Sequence, residues 1–218
     1  MIQAVVIDVG ETLIDESRIW GRWADRLGVP PLTLMGLLGG MAALDRSHRD
    51  ALELIRPGFD LAPELERWAL DDPDSLRERF DEDDLYPDVR PGLDALVANG
   101  LSIHVAGNQP PAARETLLRM NLPVSSIFNS HELGAEKPSP EFFNAVIDLA
   151  GGLAPAILYV GDRLDNDVLP ARRAGMRTVL MRRGPWGYLH AERPEAGLAD
   201  AVCNSLLELP LVVEQIPH

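Results

Sequence analysis

Four short stretches hold residues able to do chemistry. Asp8 closes the apolar run Ala4-Val5-Val6-Ile7 and is followed at once by Val9-Gly10-Glu11-Thr12-Leu13. Gly107 and Asn108 follow Val105-Ala106, and Asp162 and Asp167 stand in the acidic run that follows Ile157 to Val160. Lys137, the only lysine of the chain, lies in the loop Gly134-Ala135-Glu136-Lys137-Pro138. Carboxylates are hard oxygen donors that suit a small divalent cation. Such a cation, with one lysine, reverses the local field enough to accept a phosphate. Each residue also has an ordinary structural reading. Asp8 can cap a turn, Asp162 and Asp167 can charge the first turn of a helix, Asn108 can be a turn residue, and Lys137 can be a surface charge.

The elements around these stretches decide where they meet. β-branched runs bounded by glycine or polar residues read as buried strands of a parallel sheet, whose ligands gather beyond the carboxyl ends. Such runs occur at 4–7, 101–106, 126–128, 156–160, 177–181 and 201–203. Helical spacing predicts helices near 90–99, 110–120, 140–150 and 164–174, and one after 203. This alternation implies right-handed crossovers and a doubly wound, mostly parallel, Rossmann-like α/β sheet. Between the first and second strands the pattern is helical, with Ile19, Trp20, Trp23 and Leu27 on one face and further helices near 32–44, 45–55 and 63–80. The expected division is a core of 1–15 with 86–218, and an inserted α-helical cap of 16–85.

The chain has 218 residues, room for one good core and a smaller unit, and a formal net charge of −14 that argues against nucleic acid or an anionic membrane as partner. Cys203 is the only cysteine, so no intrachain disulfide forms, and no apolar run is long enough for a membrane span. The expectation is a cytoplasmic protein, monomer or homodimer.

Taken together, Asp8-Val9-Gly10-Glu11-Thr12-Leu13, Asn108, Lys137-Pro138-Ser139-Pro140-Glu141 and Gly161-Asp162…Asn166-Asp167-Val168…Ala174-Gly175-Met176 resemble the haloacid dehalogenase superfamily, in its branch with a small helical cap. The resemblance implies an Mg²⁺-dependent phosphatase of a small phosphorylated metabolite. Asp8 would be the nucleophile, forming an aspartyl-phosphate. The metal would be held by Asp8, the Gly10 carbonyl and Asp162. Asp167 would hold a metal-bound water or orient Lys137, and Lys137 would pair with Asp8 and the phosphoryl oxygens. Gly107 and Asn108 would bind the phosphate.

Two residues depart from the family pattern. Gly10 stands where family phosphatases carry the aspartate that shuttles the leaving-group proton, and Gly107 stands where a Ser or Thr is expected. Glu11 or Asp15 is the candidate replacement for the shuttle. The competing expectations are 2-haloacid dehalogenase chemistry on the same aspartate, which needs no metal, and a phospholigand-binding regulatory protein that has lost catalysis. Arg18, Arg22, Trp20, Trp23, His48 and Arg49 are the candidates for substrate choice, and Arg182 to Gly187 the stretch bordering the site.

Overall fold

The computed structural model describes residues 1–73 and 80–217. The chain divides into two compact units, Met1–Asp15 with Asp81–His218, and Glu16–Phe80.

The first unit is built on a six-stranded parallel sheet of β1 (Ala4–Ile7), β2 (Ser102–Gly107), β3 (Ser126–Asn129), β4 (Ile157–Gly161), β5 (Arg177–Met181) and β6 (Ala201–Cys203). Their order across the sheet is β3-β2-β1-β4-β5-β6. The connections carry α-helices at Val89–Ala98, Pro140–Ala150, Leu169–Arg173 and elsewhere, as right-handed crossovers require. Every residue of β1 and β4 is buried, so the sheet is covered on both faces and its central strands need no polar alternation. On one face Phe142, Phe143 and Val146 pack against Val6, Tyr159, Ala171 and Met176. Register pairs Ile7 with both Val105 and Val160, so Asp8 leaves β1 beside the last residues of β2 and β4. The order reverses between β1 and β4, and their carboxyl ends form the crevice of a doubly wound sheet.

The second unit consists of α1 (Ser17–Leu27), α2 (Pro31–Ala43), α3 (His48–Ile55) and α4 (Leu61–Asp71). Trp23 is fully buried, edge-on to Trp68 at 4.7 Å between ring centroids and to Phe59 at 5.9 Å. Glu64 is buried too, with its carboxylate on the guanidinium groups of Arg26, Arg56 and Arg67.

Some boundaries differ from expectation. The helical block expected over 16–85 is compact only to Phe80. Residues 81–85 go with the sheet, because Ile14 bridges Leu85 and Asp15 N–H donates to the Asp84 carbonyl. Of the one or two helices expected over 63–80 with a break near Asp71–Asp74, the first runs through Leu61–Asp71 and ends at that break, and residues 74–79 lie outside the described residues. Gly36, Gly39 and Gly40 do not interrupt α2, which starts on Pro31 at a position where a missing N–H costs nothing. The expected helix 164–174 opens as a wider turn over Leu164–Val168 before the α-helix Leu169–Arg173.

Candidate active site

Asp8 follows β1 directly, its N–H donating to the Val160 carbonyl of β4 at 2.9 Å. The chain then folds back on itself. The N–H groups of Leu13 and Ile14 both reach the Val9 carbonyl at 2.9 Å, and Glu11 N–H returns to the Ile14 carbonyl at 2.8 Å. Glu11 sits in this turn at φ 49°, a left-handed conformation costly for a side chain with a Cβ.

Lys137 reaches the same place from the loop before Pro140–Ala150. Its Nζ donates to Asp8 Oδ1 at 2.7 Å and to Asp167 Oδ1 at 2.6 Å. Asn108 makes a two-way bond with the Lys137 backbone. Its Nδ2 donates to the Lys137 carbonyl at 2.9 Å, and its Oδ1 accepts from the Lys137 N–H at 2.8 Å. The side chain expected to meet phosphate is thus engaged in holding the lysine loop. Asp167 is aimed by its second oxygen, which accepts from the Arg163 N–H at 3.0 Å, and by the wide turn over Leu164–Val168.

Two glycines make room for this packing. A Cβ at Gly107 would stand 2.5 Å from Asp8 Oδ1, and one at Gly161 would stand 2.5 Å from the Asp167 carboxyl carbon. Real Cβ atoms do not come so close, so a hydroxyl-bearing residue at 107 would displace the Asp8 carboxylate from its place on Lys137. The departure at Gly107 therefore has a steric reason in this chain.

Asp8, Asp162 and Asp167 are all buried, and their carboxylate oxygens lie within 4.8 Å of one another. Opposite oxygens around an octahedral Mg²⁺ are about 4.2 Å apart, so the span and the all-oxygen donor set fit such an ion. The electrostatics fit as well. Burial, then the charges of Asp167, Asp8 and Glu11, hold the Asp162 carboxyl well above its ordinary value. Burial is also the main reason Asp167 is pushed up to about 6, with Lys137 opposing and Asp8 reinforcing it. Burial would lower the Lys137 ammonium, but the charges of Asp167 and Asp8 outweigh it and keep the group protonated. Three buried carboxylates facing one ammonium leave an excess of negative charge that a divalent cation offsets.

The candidate proton carriers are placed less centrally. Glu11 Oε2 accepts from the Tyr86 hydroxyl at 2.6 Å, and the Tyr86 hydroxyl is held well above its ordinary value by burial and by the Glu11 charge. Glu11 is close enough to act on Asp162 electrostatically, and both Glu11 and Asp15 act on the Tyr86 hydroxyl. Tyr86 has no signal in the sequence, since 75 residues separate it from its partner. Arg182 to Gly187, expected beside the site, is partly helical: Gly184–Ala191 forms an α-helix whose Trp186 is buried under the Arg163 guanidinium.

A buried lysine bridging two aspartates at the switch point of a parallel sheet, with a third carboxylate beside them, defines a class of hydrolase site. A model of the haloacid dehalogenase-like hydrolases matches residues 2–175, and the chain belongs to that family. A glyceraldehyde 3-phosphate phosphatase of Methanopyrus kandleri is 30% identical over 205 residues, covering 85% of this chain and 86% of that protein. A phosphoserine phosphatase of Thermus thermophilus is 33% identical over 84% of this chain and 70% of that protein. The fold is shared with the L-2-haloacid dehalogenase of Xanthobacter autotrophicus, at TM-score 0.70 and 20% identity over the whole of both chains. Among the described residues, no helix is long and apolar enough to cross a membrane.

Proposed function

We propose that this hydrolase is a phosphatase that transfers the phosphoryl group of a small phosphorylated metabolite to Asp8 and then to water. The observation that carries the reading is the third buried carboxylate, Asp162, beside the Asp8–Lys137–Asp167 bridge. Displacement of halide from carbon by Asp8 has no use for a cation, and burying two further acids would only oppose the attacking carboxylate. Phosphoryl transfer gains from a cation at that position. The two related phosphatases above support the same reading.

Asp8, Asp162 and the Gly10 carbonyl would hold Mg²⁺. When bound, the ion neutralises charge between the carboxylate and the phosphate dianion, which otherwise repel. One Asp8 oxygen forms a bond to phosphorus as the bond to the leaving oxygen breaks. Lys137 stays charged and meets the negative charge that moves onto the equatorial oxygens. Asp167 and the Asn108 amide keep the ammonium aimed at that point. Water then attacks phosphorus, inorganic phosphate leaves, and the Asp8 carboxylate is restored. The leaving oxygen must gain a proton, and Gly10 has none to give. Glu11 is the nearer of the two replacements, and leaving groups that depart as stable anions need none. Choice of metabolite would rest on Arg18, Arg22, His48 and Arg49 of the helical unit. Trp20 and Trp23 belong to its packing.

The test is phosphate release across a panel of metabolites with and without Mg²⁺, together with beryllofluoride trapping at Asp8. Mg²⁺-dependent release with trapping supports the reading. Trapping without turnover on any ester points to the regulatory reading, and halide release without phosphate release to the dehalogenase.

A further inference from the structure

Arg183 takes no part in the chemistry above, yet it is buried at the end of β5 and touches the nucleophile's loop. Its Nη1 donates to the Thr12 carbonyl at 2.6 Å, and its Nη2 pairs with Asp88. The guanidinium carbon lies 4.2 Å from the centroid of the Tyr86 ring, whose hydroxyl holds Glu11. Asp88 is itself anchored, accepting from Ser205 Oγ at 2.6 Å and from Leu206 N–H at 2.7 Å. Next to Arg183, Gly184 adopts φ 59°, and a Cβ there would stand 2.6 Å from Glu11 Cγ.

One guanidinium therefore grips the turn after Asp8 at two places, Thr12 by a hydrogen bond and Glu11 through Tyr86. It ties that turn to an anchor on a distant part of the chain. The turn needs such a restraint, because Glu11 is held in a left-handed conformation that a free loop would leave. Lysine could not replace it, since an ammonium has no planar fork to bond in two directions while stacking on a ring.

We propose that Arg183 is a positioning residue for Asp8, fixing the Val9–Ile14 turn and with it the direction of the Asp8 carboxylate. The inference rests on Asp8 as the nucleophile. A misplacement of the attacking group by about 1 Å costs on the order of 100-fold in turnover. Beside Arg183 a cavity of about 420 Å³, lined by Tyr86, Asp88, Arg182, Tyr188 and Ser205, lets a small cation in from solvent.

The experiment measures kcat and KM on the best substrate of the panel for R183K, R183A and R182K, each well below its unfolding temperature. It adds R183A with guanidinium chloride at tens of millimolar. Expected for R183K and R183A is a kcat lowered roughly 100-fold with KM changed less than about threefold. Guanidinium is expected to restore R183A at least about tenfold and to leave the parent enzyme unchanged. R182K changes only an arginine that pairs with Glu192 and lies over Tyr188, and it should keep its kcat. Unchanged kcat in R183K overturns the proposal, as does an equal fall in R182K, or a folded R183A that guanidinium does not restore. If R183A does not fold, R183K and R182K decide. The Asp8 reading is tested separately by D8N: activity surviving in D8N sinks that reading, whereas an inactive D8N with a fully active R183K sinks only this inference.

Discussion

A buried charged cluster stands in each unit of this protein, one around Glu64 and one around Lys137, and the two are built in opposite ways. In the helical unit a single carboxylate, Glu64, faces three arginines, and the Arg56 and Arg67 side chains are 44% and 62% exposed. In the sheet unit a single ammonium, Lys137, faces Asp8 and Asp167 with Asp162 close by, and no side chain of its two ion pairs is more than 9% exposed. Burial raises the Glu64 carboxyl, but its arginines outweigh that and leave it below its ordinary value, so the cluster is satisfied by the chain itself. At Lys137 the chain leaves negative charge over, and two of the carboxylates are held above their ordinary value. A cluster balanced by its partners and by water around its exposed arginines acts as structure. One whose surplus charge is buried and aimed at a crevice is a place for a ligand.

The largest expected effect breaks the comparison at its centre. D8N should lose at least about 10³-fold in kcat and all beryllofluoride trapping, because an amide oxygen is not a competent nucleophile. Turnover that survives would mean the overloaded cluster has another purpose. Next is G10D, which supplies a proton carrier at the position where the chain has none. It should raise kcat on alkyl phosphates by up to about 10²-fold and alter aryl or acyl phosphates far less. A fall on both would show that the glycine is needed for close approach.

Stability then separates the clusters directly. E64Q removes the hub of a balanced cluster and should lower unfolding free energy by about 1–3 kcal/mol, moderated because the arginines can return to water. D162N removes one of three crowded acids. It should raise the stability of the metal-free protein by about 1–2 kcal/mol and abolish stabilisation by Mg²⁺. Thermal or urea unfolding with and without Mg²⁺ reads both, and the same sign for the two variants would erase the distinction.

The smallest effect is in pH. The Asp167 carboxyl sits at about 6 when folded, against an ordinary 3.8. Between those values the folded protein binds more protons than the unfolded chain, so metal-free stability falls as pH rises through the window. A cation held by Asp8 and Asp162 beside Asp167 would favour the charged form of that carboxyl, so the thermal shift given by Mg²⁺ should be small near pH 5 and full by about pH 7.5. A shift independent of pH would mean that these carboxylates do not hold the ion.

Much of the sheet unit was legible along the chain because its signals are local. A buried strand is a continuous apolar run, and Asp8 and Asp162 are recognisable as the polar residues where such runs stop. The proposed roles of Lys137 and Asp167 came from their place beside motifs of a known family. Asn108 was recognised as a site residue but its partner was not, because a side-chain amide can face phosphate or a neighbouring backbone and only packing chooses. Glu64 left no trace, since an acid in an amphipathic helix looks the same whether it meets water or arginines from its own helix and from two other stretches of the chain.

The succession of strands and helices along the chain, the helix faces and the polar residues at strand ends follow from residue types a few positions apart, since backbone propensity and apolar burial act over that range. The tertiary structure alone decided that Asn108 ties down the Lys137 backbone, that Gly107 leaves space for the Asp8 carboxylate, and that Arg183 and Tyr86 restrain the turn after Asp8. Those relations join residues from 29 to 171 positions apart. Charge balance and steric fit are properties of what surrounds a group, and the surroundings exist only once the chain has closed around it.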